Sequence, residues 1–538
     1  MGLFDRIQKK ETKKFEENDI EKFEPRPNST NSTNDKIKIS EKNTNKFNKL
    51  NPIDDLKSSL LDKYLINIDK LDFNVSIEKK EGVKKYNISN INYINSALSK
   101  LTPEMHKELK TELSDSELKT IGQIQGYLKN YFLKNNIKIK DIEIHYISQY
   151  FYLIIGKLGL IEILINDPEL EEIMINGVDI PIYIFHRKYQ MCKTNIILDK
   201  SELARIIDSI AYLAGRNIDS RIPMLDAYLP DGSRVNATTA DITTMGNTLT
   251  IRKFSKNPLT IVNLIKYNTI DPELGAFIWQ AVEGYYGAKP ANTLIVGGTG
   301  SGKTTTLNVV SMFSMYNDRL ITIEDTPELQ IPLDHTIKMI TRPGRPGIDN
   351  YEITMDDLIK NSLRMRPDRI YVGEVRGAEA HSLLVAMNTG HDGCSGTLHA
   401  NSADEAMIRL INPPMNVPKI MLSSINFIIN QQRIKRNKKT VRRILSVVEV
   451  GGQGDEITKT ELFKYNGATD GIEKVGICMW EDEVCKITGI TRDELLLDRA
   501  NRKRVLEYMS NNDISDIKKV SEIVRRYQEN PESILKMI

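Results

Sequence analysis

The residues Gly297-Gly298-Thr299-Gly300-Ser301-Gly302-Lys303-Thr304 decide the fold of the second half of this chain. Glycines at both ends of such a loop let backbone N–H groups wrap around an anion, which side chains would obstruct. The run Thr293 to Val296 before the loop predicts a buried strand, and the run Leu307 to Val310 after it suits a helix. A glycine-rich loop between a strand and a helix predicts a binding site for the phosphates of ATP.

The side chains of this loop predict how ATP and Mg²⁺ are held. Lys303 would place a positive charge at the β- and γ-phosphates, and Thr304 would offer its hydroxyl to Mg²⁺. The helix that begins here adds its dipole to the attraction for the anion. The predicted nucleotide-binding residues of this region are Gly297, Gly298, Thr299, Gly300, Ser301, Gly302, Lys303, Thr304 and Thr305.

Acidic residues follow two further apolar runs, and hydrolysis needs a carboxylate that positions water. Glu324 and Asp325 follow Leu320 to Ile323, and Glu374 follows Ile370 to Gly373. Because the carboxyl ends of parallel strands face the ligand crevice, we expect both acidic clusters to point at the γ-phosphate. The alternative is that they are surface-loop carboxylates, as Asp and Glu usually are. The sequence leaves open which of the two glutamates is the general base.

Four arginines lie close to the second acidic cluster: Arg364, Arg366, Arg369 and Arg376. Such residues could contact the γ-phosphate or act across a subunit boundary as arginine fingers. Arg376, directly after the strand that carries Glu374, is the predicted catalytic arginine. The alternative for each of the four is an ion pair with a neighbouring Asp or Glu.

The segment Thr389 to Asn401 is rich in glycine and contains His391, Cys394 and His399. Its composition predicts a catalytic turn close to the bound nucleotide, with His399 as a catalytic residue. A zinc site is the alternative, but the spacing H-x-x-C-x-x-x-x-H supplies no fourth ligand.

Composition describes an ordinary globular protein of several domains. The chain has 538 residues, of which 40% are hydrophobic and 27% charged, and the net charge is +2. This balance gives no reason to expect nucleic acid as a partner. The cysteines are Cys192, Cys394, Cys478 and Cys485. The spacing of these cysteines indicates neither a disulfide framework nor a C-x-x-C pair. No signal peptide or membrane-spanning run is evident in the sequence. Together these two observations predict a cytoplasmic protein.

Changes in composition along the chain predict four regions. Residues 1–50 are rich in Lys, Asn, Ser and Thr and predict a disordered tail. Residues 55–255 predict an α+β domain whose first part could form a helical subdomain. Residues 256–450 predict an α/β ATPase domain with a parallel sheet, and residues 451–538 a partly helical extension.

Three local features can be predicted within these regions. Ser201 is a plausible N-cap for an amphipathic helix, and residues 226–236 predict a hairpin turned at Pro230-Asp231-Gly232. The basic stretch Arg433 to Arg443 predicts a solvated hairpin turned at Asn437-Lys438, or else a contact for membrane-protein loops or lipid headgroups.

Taken together, these motifs resemble those of the secretion-superfamily ATPases, the hexameric motors of type II secretion and type IV pili. The four parts of that signature stand in order as a Walker A loop (297–304), an Asp box (323–328), an atypical Walker B (370–377) and a His box (389–401). Gly373 stands where most P-loop enzymes carry an Mg²⁺-binding Asp, and this is normal in the superfamily. The resemblance therefore implies Mg²⁺ held by Thr304, phosphate oxygens and water, with Asp325 acting through water.

The resemblance covers roughly residues 150 to 450 and is closest to the archaeal branch, especially the archaellum motor ATPases. It implies a RecA-like ATPase domain after an N-terminal α+β domain whose Arg234 and Arg252 approach the nucleotide. It also implies a homohexamer, peripheral at the inner face of the cell membrane. The implied partners are a polytopic membrane platform protein and other cytoplasmic filament-motor proteins.

Other functions remain open at this stage. An archaeal type IV pilus or secretion ATPase would carry nearly the same motifs. A hexameric nucleic-acid translocase is a second alternative, disfavoured by the balanced charge and by the absence of an aromatic and basic stripe. A regulatory scaffold that binds ATP without turnover is a third, disfavoured by the presence of Lys303, Glu324 and Glu374.

Overall fold

The structure is a computed structural model that describes residues 59–254, 257–342, 344, 352–437, 439–453 and 456–538. The predicted disordered tail over residues 1–50 lies outside this range. The chain forms two compact units, one ending at Phe254 and the other beginning at Ser255. Each unit has its own nine-stranded sheet, and their apolar cores are described separately below.

The first unit is built on a mixed sheet with the order β1-β2-β3-β6-β5-β4-β9-β8-β7. Only β3 and β6 pair in parallel among its described strands. The strands are β1 (Ser59–Ile68), β2 (Leu71–Lys80), β3 (Val83–Ile88), β4 (Leu170–Ile175), β5 (Pro181–His186), β6 (Gln190–Ile197), β7 (Met224–Tyr228), β8 (Arg234–Thr238) and β9 (Thr248–Arg252). The helices are α1 (Ser89–Leu98), α2 (Pro103–Ser114), α3 (Ile121–Lys134), α4 (Asp141–Gly156), α5 (Ile161–Asn166) and α6 (Lys200–Leu213).

Local patterning explains most of this unit. Buried and exposed residues alternate along β2 from Leu71 to Ile77, so one face of the strand packs inward. The described part of this unit begins with three strands, where a helical subdomain is expected from the sequence, and the helices α1 to α4 come only after them. The hairpin predicted over residues 226–236 is confirmed as β7 and β8. The N-cap prediction at Ser201 is wrong, because Asp199 accepts the backbone N–H of Glu202 at 2.8 Å and the Ser201 hydroxyl at 2.7 Å.

The second unit is built on a sheet with the order β12-β11-β13-β14-β10-β15-β16-β17-β18. Neighbouring strands in the part β12-β11-β13-β14-β10-β15 pair in parallel. Neighbouring strands in the part β15-β16-β17-β18 pair antiparallel. The strands are β10 (Thr293–Val296), β11 (Leu320–Glu324), β12 (Thr336–Ile340), β13 (Arg369–Val375), β14 (Ser395–Leu398), β15 (Phe427–Arg436), β16 (Lys439–Gln453), β17 (Glu456–Asn466) and β18 (Gly471–Lys474). The helices are α7 (Ile261–Lys266), α8 (Pro272–Gly287), α9 (Lys303–Ser311), α10 (Met355–Ser362), α11 (Glu379–Asn388), α12 (Ala403–Ile411), α13 (Met479–Thr488), α14 (Arg492–Asn511), α15 (Ile517–Glu529) and α16 (Pro531–Leu535). The predicted parallel sheet is confirmed, with β10 paired on both sides, to β14 and to β15.

The helices at the C-terminal end pack into the core of this unit. Residue 451, the expected start of the extension, lies inside β16. Helix α14 packs against α8, and Arg499 and Arg502 of α14 are almost fully buried there. Arg499 donates to the side-chain oxygen of Gln280, and Arg502 forms an ion pair with Glu283. These helices are therefore part of the packing around the sheet.

A carboxylate from the sheet caps one of these helices. Glu449 of β16, 6% exposed, accepts hydrogen bonds from the backbone N–H groups of Met479 at 2.9 Å and Trp480 at 2.6 Å. These two groups lie at the start of α13, where a helix lacks internal acceptors. The contact fastens α13 to the sheet.

Glu449→Ala is expected to destabilise the second unit by about 2 kcal/mol, because two backbone N–H groups at the start of α13, one of them buried, lose their acceptor. The free energy of unfolding, measured in urea, tests this. The matched control is Glu461→Ala, which removes an exposed carboxylate on β17 that pairs with Lys464 and should change stability by less than about 0.5 kcal/mol. Equal stability of the two variants would contradict the capping role.

Candidate active site

The glycine-rich loop joins the central strand β10 to helix α9. Gly302, the N-cap of α9, has a left-handed backbone with φ 93°, which glycine adopts without strain. A Cβ at Gly302 would lie 2.9 Å from Nε2 of Gln431, and one at Gly297 would overlap the Gln431 carbonyl oxygen. Glycine is therefore required at both ends of the loop by its contacts with β15, as well as by the predicted phosphate.

Lys303 is the first residue of α9 and is only 7% exposed. Its Nζ donates to the carbonyl oxygen of Gly298 at 3.3 Å and lies 3.4 Å from Nε2 of His399. Burial lowers the pKa of Lys303 from its usual value, the nearby Glu374 carboxylate opposes this, and Arg376 adds to it. A cation held in this way would gain stability from an incoming anion.

Glu374 lies near the end of β13 beside two basic side chains. Its Oε2 accepts a hydrogen bond from Arg376 at 2.6 Å. Its Oε1 lies 2.8 Å from Nε2 of His399 but has no hydrogen-bond partner among the described residues. Burial acts to raise the pKa of Glu374, but Arg376, His399 and Lys303 outweigh it and lower the pKa below the usual value. Burial and Lys303 together lower the pKa of His399. At neutral pH, the site therefore contains a carboxylate ion beside a neutral imidazole.

Glu324, at the end of β11, is the most buried carboxylate of this region at 2% exposure. Its Oε1 accepts the backbone N–H groups of Glu328 and Leu329, both at 2.9 Å. Its Oε2 is buried and has no hydrogen-bond partner among the described residues. Burial raises the pKa of Glu324 to about 7, against the lowering effect of the two backbone bonds. Glu324 thus differs from Glu374 in charge at neutral pH.

The absence of a side chain at Gly373 makes room for Glu324. A Cβ at position 373 would lie 2.9 Å from Cγ of Glu324, closer than real side-chain contacts allow. Most P-loop enzymes carry an Mg²⁺-binding Asp at the position of Gly373. The side chain of such an Asp would clash with Glu324 where it lies in this structure.

Gly373→Ala is expected to lower the rate of ATP hydrolysis at least about tenfold, because Glu324 must leave its two backbone donors to avoid the new methyl group. Steady-state phosphate release measures the loss. Gly467→Ala is the control, since a Cβ there would meet no heavy atom closer than 3.9 Å. Unchanged activity of Gly373→Ala would show that the position of Glu324 is unimportant.

The structure places the other predicted residues as follows. Thr304 and Thr305 lie in the first turn of α9. Asp325 accepts a hydrogen bond from the Thr341 hydroxyl at 2.9 Å. Arg234 and Arg252 are register partners on β8 and β9 of the first unit, where Arg234 pairs with Asp226 at 2.9 Å. The approach of these two arginines to a nucleotide stays a prediction.

Two predicted alternatives can be judged from side-chain contacts. Arg369 is buried, pairs with Asp318 and donates to backbone carbonyls of α8, so the ion-pair alternative holds for this arginine. Cys394 is also buried, and its thiol donates to the carbonyl of His391 at 3.1 Å. Burial raises the pKa of Cys394 to about 12, which disfavours the thiolate that zinc requires.

The sequence prediction missed three residues of the β15–β16 hairpin that contact the loop. The hairpin itself is confirmed, and Asn437 lies at its turn. However, Arg442 donates to the carbonyl of Gly300 at 3.1 Å, and Nη1 of Arg433 lies 3.3 Å from where a Cβ of Gly300 would be. Gln431, the third, is bonded to the loop through its amide. The available signal was the polar pair Asn430-Gln431 at the end of an apolar strand-forming run.

The central strand of a parallel sheet leads into a glycine-rich loop. Beside this loop, one histidine lies between a lysine and a strand-end carboxylate. These features define a RecA-like P-loop protein. The chain belongs to the type II/IV secretion system protein family, which matches residues 156–511. Among the described residues, no helix is both long enough and apolar enough to cross a membrane.

The chain is also similar to individual proteins. An uncharacterized protein of Methanocaldococcus jannaschii is 45% identical, over 100% of this chain and 97% of its own length. A putative conjugal transfer protein of Mycobacterium tuberculosis is 36% identical over 39% of this chain and 60% of its own. Among solved structures, the VirB11 ATPase of the Brucella suis type IV secretion system is 24% identical, covering 53% of this chain and 93% of its own with a TM-score of 0.27. The Legionella pneumophila ATPase DotB is 21% identical, covering 65% and 85% with a TM-score of 0.36.

Proposed function

We propose that this chain is a motor ATPase that hydrolyses ATP to ADP and phosphate and powers the assembly of a surface filament. The observation that supports this most directly is the convergence of Lys303 and Glu374 on His399 beside the glycine-rich loop. Membership of the secretion family supports the motor role. If the filament is an archaellum, the same motor would also drive its rotation.

The proposed chemistry follows from the charges of these residues. The N–H groups of the loop bind the α- and β-phosphates, and Lys303 reaches the β- and γ-phosphates and stabilises the charge that develops there. The Glu374 carboxylate accepts a proton from water as the water oxygen attacks the γ-phosphorus and ADP leaves. His399, neutral and 2.8 Å from Glu374, orients this carboxylate, and Arg376 keeps it ionised.

The oxygen donors near the loop fit Mg²⁺, which prefers hydroxyl, carboxylate and phosphate oxygens. Thr304 would hold the ion through its hydroxyl, and the unpartnered buried Oε2 of Glu324 is a second oxygen available for it or its water. Asp325 would act at most through water. When bound, Mg²⁺ neutralises charge on the phosphates.

We further propose a homohexamer that works at the inner face of the cytoplasmic membrane. A polytopic platform protein would anchor it, together with other cytoplasmic filament-motor proteins. Arg234 and Arg252 would approach the nucleotide from the N-terminal domain. Domain closure on ATP and opening after hydrolysis would then supply the movement.

Phosphate release by the purified full-length protein tests the proposal. We expect release with ATP and Mg²⁺, loss of release with excess EDTA, and stimulation by vesicles that contain the proposed polytopic platform protein. Single-stranded DNA is the control ligand and should have no effect. Absence of release under all conditions would overturn the ATPase proposal, and stimulation by DNA alone would favour a nucleic-acid translocase.

A further inference from the structure

A single glutamine of the β15–β16 hairpin contacts both ends of the glycine-rich loop. Gln431 is 1% exposed and directly follows the stretch in which β15 pairs with β10, whose Val296 is in register with Asn430. This register places Gln431 beside Gly297, where the loop begins. Its backbone carbonyl occupies the space that a Cβ of Gly297 would need.

The side chain of Gln431 reaches the far end of the same loop. Its Nε2 donates to the carbonyl of Ser301 at 2.8 Å and lies 2.9 Å from where a Cβ of Gly302 would be. Its Oε1 accepts the hydroxyl of Thr306 at 2.5 Å, in the first turn of α9. The donor and the acceptor of one buried amide are therefore both used on the loop and its helix.

These bonds act on the part of the loop that would face phosphate. A peptide unit has its carbonyl and the following N–H on opposite sides, so holding the Ser301 carbonyl toward Gln431 directs the N–H of Gly302 away from Gln431. A loop that binds an anion through its N–H groups depends on such orientation. Arg442 donates to the carbonyl of Gly300 and so restrains the neighbouring peptide as well.

We propose that Gln431 is a positioning residue for nucleotide binding, which fixes the phosphate-binding loop through Ser301 and Thr306. The proposal rests on the ATPase function proposed above and adds to it a residue outside the four motifs. Gln431 itself does not touch the nucleotide. It acts on the part of the site that binds the phosphates shared by ATP and ADP, and so it affects both ligands equally.

Gln431→Met, which keeps the size of the side chain but loses both hydrogen bonds, tests this in the full-length protein. The dissociation constants of fluorescent ATP and ADP analogues should both rise about tenfold, as expected when a buried polar group loses its partner. The KM for ATP should rise by the same factor while kcat stays within about twofold, because the lost interaction acts equally in the ground state and the transition state.

Thr306, whose hydroxyl donates to Gln431, supplies a second variant if Gln431→Met folds poorly. Thr306→Val removes the hydroxyl that Gln431 accepts and should also weaken binding of both analogues, whereas Thr306→Ser keeps the hydroxyl and should retain affinity. The double variant with Gln431→Met should bind no more weakly than Gln431→Met alone, because both substitutions break the same bond.

A matched control separates positioning from simple stabilisation. Gln528 is also a buried glutamine, and its Nε2 donates to the carbonyls of Phe313 and Ser314, both at 3.2 Å. Gln528→Met should lower Tm without changing nucleotide affinity. If Gln431→Met lowers Tm in the same way and leaves both affinities unchanged, this inference is overturned while the proposed ATPase function stands. If wild type binds neither analogue, both fail.

Discussion

Replacing Lys303 with Ala should reduce ATP hydrolysis at least about 100-fold, the largest effect expected for any single residue of this chain. Its ammonium is the cation inside the loop and is largely buried. Its removal leaves the phosphate charge without a compensating side chain where water is partly excluded. Binding of ATP should weaken as well, because Lys303 also attracts the phosphates in the ground state, although less strongly than in the transition state. Phosphate release and the binding of a fluorescent ATP analogue measure the two effects.

Lys464→Ala is the control for loss of a lysine. Its side chain is 64% exposed on β17 and pairs only with Glu461 among the ion pairs of the described residues. Its removal should leave hydrolysis and binding unchanged. If Lys303→Ala binds and hydrolyses ATP as well as this control does, the glycine-rich loop is not the nucleotide site.

Glu374→Gln should lower kcat about 100-fold or more while ATP still binds, because the substitution keeps the shape of the side chain but removes the proton acceptor. The affinity for ATP should stay the same or increase, since one negative charge near the phosphates is lost. Single-turnover hydrolysis and equilibrium binding distinguish the two effects. Equal hydrolysis rates for Glu374→Gln and wild type would exclude Glu374 as the base.

Glu324→Gln is the informative comparison, because burial raises the pKa of Glu324 to about 7 whereas that of Glu374 is lowered. At pH 6 the Glu324 carboxyl is mostly protonated in wild type, and Gln resembles that neutral form. The loss for Glu324→Gln should therefore be smaller at pH 6 than the loss for Glu374→Gln, and it should grow as the pH rises through 7. A larger loss for Glu324→Gln at pH 6 would assign the base to Glu324.

Much of the site could be predicted because its residues directly follow short sequence patterns that indicate strands. The apolar runs before Glu324 and Glu374 are short and bounded, and each forms a strand of the parallel sheet. Strand ends in such a sheet lie at one edge, so carboxylates after the runs fall there. The glycine-rich loop likewise carries its own pattern between β10 and α9.

Contacts between distant parts of the chain could not be predicted in this way. Gln431 is 130 positions away from Ser301, and no local pattern shows that its amide will meet that carbonyl. The N-cap of α6 was missed for a related reason: Asp199 and Ser201 both fit the cap position, and the choice depends on which oxygen reaches the N–H of Glu202. The burial of Arg499 and Arg502 of α14 likewise cannot be predicted from the local sequence, because it depends on packing against α8.

The packing of α14 on α8 sets a limit on how this protein can be shortened in the laboratory. A fragment ending near residue 450 would keep every signature motif, yet it would uncover the flank of α8 and expose Trp279, which stacks on Phe313 at 5.2 Å. Such a piece would be prone to aggregate, and its inactivity would say nothing about catalysis. Truncation series and chimeric fusions should therefore keep the chain through α15.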